Sequence, residues 1–282
     1  MTRRSTRISS WIGPLVIGLS GCSASRRADV IYLPSSANVV QQMLSLARVG
    51  EGDVVFDLGC GDGRIVIAAV RDHGARGVCN DIDPARIAES RRNAEAAGVL
   101  DRIALDQGDL FELDLREATV VALYLSPALN VRLRPKLFRE LRPGARIVSH
   151  NFDMGEWRPD STVSIAWPTG GTSAVHLWIL PADVMGTWEL AFAGPEGGRV
   201  YRVRLEQQFQ RLTGDASRDG HSIELTAGQV MGDSVSFAMA DTLGGAKALL
   251  HFRGRVAAGA IEGSVALEGG GPTSSWRAAR PY

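Results

Sequence analysis

The apolar positions of this chain change period along its length, and each change marks an element. Val39, Val40, Met43, Leu44 and Leu46-Ala47 recur at helical spacing behind a serine that can cap them. Val54-Val55-Phe56 is a β-branched and aromatic run that predicts a buried strand, and Ile65-Val66-Ile67-Ala68-Ala69-Val70 predicts the helix after it. Strands follow at Gly77-Val78-Cys79-Asn80-Asp81, 103–106, 119–125 and 145–152. Helices fall at 84–97, opened by Asp83-Pro84 and stopped at Gly98, and at 127–141. Strands alternating with helices predict a parallel sheet covered on both faces. Segments 162–167 and 174–180, joined across Pro168-Thr169-Gly170-Gly171, predict a hairpin at its antiparallel edge.

Past Pro181 the period drops to two. Gly186-Thr187-Trp188-Glu189-Leu190, Tyr201-Arg202-Val203-Arg204-Leu205, Ile223-Glu224-Leu225, Val235-Ser236-Phe237, Phe252-Arg253-Gly254-Arg255-Val256 and Ile261-Glu262-Gly263-Ser264-Val265 alternate apolar with polar between glycine turns. This pattern predicts a small all-β antiparallel barrel or sandwich over 182–282, serving as a stabilising or adaptor module. Its Gly-x-Trp opening resembles that of lipocalin-type barrels.

Between the first strand and its helix lies Asp57-Leu58-Gly59-Cys60-Gly61-Asp62-Gly63-Arg64. Alternate glycines force a sharp turn and bring bare backbone against a ligand, because they lack a Cβ and accept positive φ. A dinucleotide pyrophosphate wants G-x-G-x-x-G at a helix N-terminus, but Arg64 stands where the third glycine would be. That spacing, and the charge of the loop, count against a NAD-linked oxidoreductase. Asp57 and Asp62 would repel phosphate and suit a cationic ligand. S-adenosylmethionine carries a sulfonium and an ammonium against one carboxylate. An acid about 20 positions beyond such a loop takes the ribose hydroxyls in nucleotide-binding βαβ units, and Asp81 stands there.

At these residues the chain resembles the class I (Rossmann-like) S-adenosylmethionine-dependent methyltransferases, over about residues 30–181. The resemblance implies an α/β fold, a Rossmann-like methyltransferase sheet with an antiparallel edge hairpin, with S-adenosyl-L-methionine as cofactor. It places Asp57, Gly59 and Gly61 around the methionine moiety, Asp81 on the ribose and Asp109, of Gly108-Asp109, beside the adenine. Tyr32-Leu33-Pro34-Ser35 before a helix is similar to the leading segment of a bacterial branch. That branch is related to the ATP synthase c-subunit lysine methyltransferases and the non-SET histone lysine methyltransferases. There the aromatic residue closes over the cofactor; for Tyr32 the plain alternative is packing of the N-terminal helix. Ser149-His150-Asn151-Phe152-Asp153-Met154-Gly155-Glu156-Trp157 also resembles that branch, which implies substrate positioning.

In an open α/β sheet the methyl acceptor meets the cofactor beyond the carboxyl ends of the strands. Tyr124, Ser126 and Phe152 are therefore candidate cleft residues, and His150 or Asp153 a candidate proton acceptor. Tyr124-Leu125-Ser126-Pro127 lacks the Asn/Asp-Pro-Pro-Tyr pattern of adenine and glutamine amino-group methylases, which lowers those substrates. Resemblance favours a protein lysine acceptor, with a small molecule as alternative. A non-catalytic envelope lipoprotein that binds a nucleoside-like ligand or a partner is the reading from another class.

Charge and cysteine usage add the rest. With 31 basic and 31 acidic residues there is no bulk field to draw the chain to nucleic acid. No metal-ligand spacing occurs, and Cys60 and Cys79 read as small buried apolar side chains without a paired disulfide pattern. Arg3, Arg4 and Arg7 precede a short apolar run from Trp11 that ends in Leu19-Ser20-Gly21-Cys22. A positive head and a segment too short to span a bilayer describe a secretory signal. Its end resembles a bacterial lipobox, which implies lipidation of Cys22, a signal over 1–22, a linker over 23–29 and membrane anchoring at the bacterial cell envelope. If the signal is unused, the protein is cytoplasmic.

Overall fold

The computed structural model describes residues 34–167, 170–194, 197–270 and 273–281. The expected signal segment 1–22 with Cys22, the linker 23–29 and Tyr32 lie outside the described residues.

Helix α1 (Ala37–Leu46) begins where Ser36 accepts the Val39 N–H, and it buries Val39, Val40, Met43 and Leu44. Strands β1 (Val54–Leu58), β2 (Arg76–Asp81), β3 (Ile103–Gln107), β4 (Val120–Leu123) and β5 (Arg146–His150) run parallel in the order β3-β2-β1-β4-β5. Strand β7 (Thr172–Ile179) then pairs antiparallel with β5, and β6 (Ser161–Ala166) with β7, completing a seven-stranded sheet. The predicted edge hairpin is therefore present.

Helices α2 (Arg64–His73), α3 (Pro84–Ala96) and α4 (Pro127–Glu140) connect the parallel strands. Asp83 caps α3 by accepting from the Ala85 N–H and Ser126 caps α4 by accepting from Leu129, each followed by proline, whose fixed φ suits a first turn. Alternation along β1 divides the core: Val55 packs with α1 and α2, whereas Val54, Phe56 and Leu58 pack with Leu129, Leu133 and Leu137 of α4.

The rest of the chain forms β8 (Gly186–Gly194), β9 (Gly197–Gln208), β10 (Arg211–Arg218), β11 (His221–Met231), β12 (Ser234–Leu243), β13 (Ala246–Ala257), β14 (Ala260–Leu267) and β15 (Ser274–Ala279). All neighbours are antiparallel, and the order β10-β11-β12-β13-β14-β15-β8-β9 closes into a barrel, not a sandwich. Inward residues such as Trp188, Tyr201, Val203, Leu205, Phe252 and Trp276 fill its interior. A Cβ on Gly263 would stand 1.9 Å from the Arg253 carbonyl oxygen, so only glycine lets β13 and β14 approach there.

Sequence periodicity missed β10 and β15. In β10 only Leu212 and Ala216 are buried, and a bulge between Leu212 and Asp215 breaks the alternation. At the junction the core changes owner: Leu180 belongs to the sheet's cluster, Ala182 and Val184 to the barrel's. Among the described residues no helix is long and apolar enough to cross a membrane.

Candidate active site

The loop after β1 is built on three left-handed glycines: Gly59, Gly61 and Gly63 have φ of +76°, +56° and +78°. Its backbone is tied to β2, where the Asn80 carbonyl accepts from Gly59 and Cys60 N–H at 2.8 and 3.0 Å. Asp81 holds the other side: Oδ2 accepts the Gly61 N–H at 3.0 Å and Oδ1 the Asp83 N–H at 2.9 Å. Each carboxylate oxygen has a second acceptor direction, so Asp81 can shape the loop and still serve ribose hydroxyls.

From outside, Ser90 donates to the Gly61 carbonyl and Asn93 to that of Asp62. Asn80, Ser90 and Asn93 escaped the sequence reading. Asn80 did leave a signal, a polar side chain inside a strand, and it is 1% exposed while donating to Asp106 and to the Gly108 carbonyl. Asp109, the expected adenine neighbour, accepts the Phe111 N–H and so shapes the turn after β3.

The cysteines correct an expectation. Cys60 and Cys79 form a disulfide, with Cα atoms 5.3 Å apart. The sequence hid it because the partners lie on different elements: parallel pairing sets Cys79 beside Asp57, and the glycine turn folds Cys60 back over it.

The two acids of the loop also differ. Asp62 forms a forked ion pair with Arg64, whose Nη1 donates to the Ser35 carbonyl at 2.7 Å, so its charge is used locally. Asp57 is 2% exposed, and its Oδ2 has no partner. Burial, then the nearby Asp81 and Asp62 charges, push its carboxyl up to about 8 against the opposing Val66 backbone hydrogen bond. A buried carboxyl with one oxygen left unpartnered beside a bare-backbone turn fits a cationic amino-acid moiety. Asp57, the glycine turn and Asp81 together fit S-adenosylmethionine, which when bound supplies a methyl group on a sulfonium.

On the acceptor side the Tyr124 ring lies 4.0 Å from that of His150 and stacks at 6.1 Å on Phe152. Ser126 follows Tyr124 by two positions, its hydroxyl committed to capping α4. His150 departs from the expected base. It is 2% exposed, with Nδ1 2.8 Å from Ser35 Oγ and Nε2 3.0 Å from Ser173 Oγ, and burial pushes its pKa down to about 4. Burial and a serine on each nitrogen weigh against a proton-collecting role and suit a neutral ring that backs Tyr124.

Ser173 also accepts from Trp167 Nε1 at 3.1 Å, which ties that half-exposed indole to the same wall. Asp153 is exposed, with Oδ1 on the Gly155 N–H. Asn130, buried on the apolar side of α4, donates to the carbonyls of Phe152 and Asp153 and fixes this segment. Its signal was a polar residue within an apolar helical stripe. No cluster of metal-ligating side chains occurs among the described residues.

A glycine turn between two acids, with an aromatic wall at the strand ends, fits a class I methyltransferase site. The comparisons agree. Residues 57–161 match the ANTKMT methyltransferase domain. A protein-lysine N-methyltransferase of Saccharolobus islandicus is 43% identical over 137 residues, 48% of this chain and 85% of that protein. The mouse adenine nucleotide translocase lysine N-methyltransferase is 36% identical over 49% of this chain, which spans 59% of the relative's length. A crystal structure of an RNA methyltransferase from Salinibacter ruber in complex with S-adenosyl-L-homocysteine is 53% identical, with a TM-score of 0.51, over 54% of this chain and 96% of the other. The chain belongs to the S-adenosylmethionine-dependent methyltransferases with the ANTKMT methyltransferase domain.

Proposed function

We propose that the chain methylates lysine side chains of proteins at the bacterial cell envelope, where a lipid on Cys22 holds it. The observation that carries the acceptor is the wall of Tyr124, His150 and Phe152 at the strand ends, next to the cofactor turn. Removal of water from an apolar site disfavours the ammonium form of an amine and so helps present the neutral nucleophile. The amine nitrogen attacks the methyl carbon in line, the C–N bond forms, and the C–S bond breaks with its electron pair left on sulfur. The proton passes to solvent or to the exposed carboxylate of Asp153, the residue after Phe152. The names of the Saccharolobus and mouse relatives support lysine; that of the Salinibacter relative makes RNA the competing acceptor.

The Cys60–Cys79 disulfide supports the envelope location, since such bonds persist in oxidising compartments and are rare in the cytosol. It joins the basic head and Leu19-Ser20-Gly21-Cys22 as a second, independent pointer.

The experiment is incubation of the full chain with methyl-labelled adenosylmethionine and, in separate arms, envelope proteins, total RNA and small-molecule extract. Methyllysine in hydrolysates of the protein arm is expected. Label confined to RNA or to small molecules would overturn the lysine reading.

A further inference from the structure

The turn between β9 and β10 reaches out of the barrel into the core of the sheet. Phe209 at its tip has φ +56°, a left-handed conformation that a turn ordinarily gives to glycine or asparagine. Its ring stacks on Trp157 at 6.0 Å, lies 6.0 Å from Phe138, and takes the Arg134 guanidinium at 5.1 Å. Arg134 in turn donates through Nη1 to the Met154 carbonyl at 3.0 Å. The neighbouring Gln210 donates through Nε2 to the Arg158 carbonyl at 2.8 Å and to Asp160 Oδ1 at 3.2 Å. Trp157 is wholly buried and bridges to Met154.

All these partners except Phe138 and Arg134 belong to the segment 151–160, which follows β5 and carries Phe152 and Asp153. Asn130 of α4 grips its first residues through their carbonyls, β7 holds the Trp157 carbonyl through Trp178 Nε1 and Asp160 through the Ile179 N–H, and the barrel tip adds the ring on Trp157 and the Gln210 bonds to Arg158 and Asp160. The barrel's interior is packed with its own side chains, so what it offers the sheet is its outward turns: this one, and the β11–β12 turn, where Gly232 comes against Gly144 and Ile179.

We propose that Phe209 is a positioning residue for methyl transfer: with Gln210 it fixes the path of residues 151–160, and so the place of Phe152 and Asp153 at the cleft. The inference rests on the methyl-transfer reading and deepens it, giving the barrel a role in the reaction. The backbone at 209 separates this from ordinary turn packing. Glycine would suit the turn better, and an aromatic residue held there against its conformational preference is kept for what its ring touches.

The test uses that feature. Phe209→Gly preserves the left-handed turn and removes only the ring, so thermal unfolding of the barrel should be unchanged or raised. Hydrogen exchange on the full chain should show the amides of 151–160 losing about tenfold protection or more. Phe209→Tyr should restore it, and adenosylhomocysteine affinity should stay within about twofold of wild type, because the cofactor turn is held by other residues. Equal protection of 151–160 in wild type and Phe209→Gly would overturn the proposal. Loss of adenosylhomocysteine binding already in the wild type would instead overturn the methyl-transfer reading, while the exchange data still decide whether the barrel holds the segment.

Discussion

At residue scale, the buried carboxyl of Asp57 couples cofactor binding to protons. Its pKa near 8 leaves it protonated in the free protein at neutral pH. A cationic ligand favours the charged form, so binding must release up to one proton, and affinity should rise by about tenfold per unit between pH 6 and 7. The sign for folding is the reverse: a carboxyl raised above its ordinary value makes the free protein less stable as pH climbs from about 4 towards 8. Asp57→Asn should abolish the proton release, flatten this share of the stability profile, and weaken adenosylmethionine binding by about ten- to a hundredfold. Calorimetry in buffers of different ionisation enthalpy reads the proton directly. No buffer dependence in the wild type would remove Asp57 from the cofactor site.

At the scale of elements, the cofactor turn is stapled to β2 by a disulfide across 19 positions of sequence. Closing a loop of that order stabilises by about 3 kcal/mol in the chain-entropy picture. Reduction, or Cys60→Ala with Cys79→Ala, should lower the melting temperature and weaken adenosylhomocysteine binding, because Cys60 lies inside the turn. Peptide mapping of native protein should recover the Cys60–Cys79 pair and an acylated Cys22 in one digestion. Free thiols at 60 and 79 together with an unmodified, uncleaved N-terminus would place the protein in the cytosol.

For the whole molecule, the question is how far the barrel can be removed. The core changes at Pro181, so residues 30–181 should fold and bind adenosylhomocysteine alone. Without Phe209 and Gln210 the fragment should show faster exchange in 151–160 and an exposed apolar face around Phe138 and Trp157. Size-exclusion chromatography and ligand titration check both. A fragment that aggregates and binds nothing would mean that sheet and barrel share one indispensable core.

What the sequence determined by itself was everything written in local periodicity and turn chemistry. Asp83-Pro84 opens α3 as read, and the alternate glycines make the turn that admits a cofactor, because caps and left-handed backbone depend on adjacent residues. Tertiary structure decided whatever depends on partners far apart in the chain. It joined Cys60 to Cys79, tied Arg64 to the Ser35 carbonyl, and closed His150 between Ser35 and Ser173, turning an expected base into a buried support. It closed the eight strands into a barrel and carried Phe209 some 50 positions back to Trp157. Pairing register and burial set these outcomes, and neither can be read from one segment, since each acts across strands and helices that only the folded chain brings together.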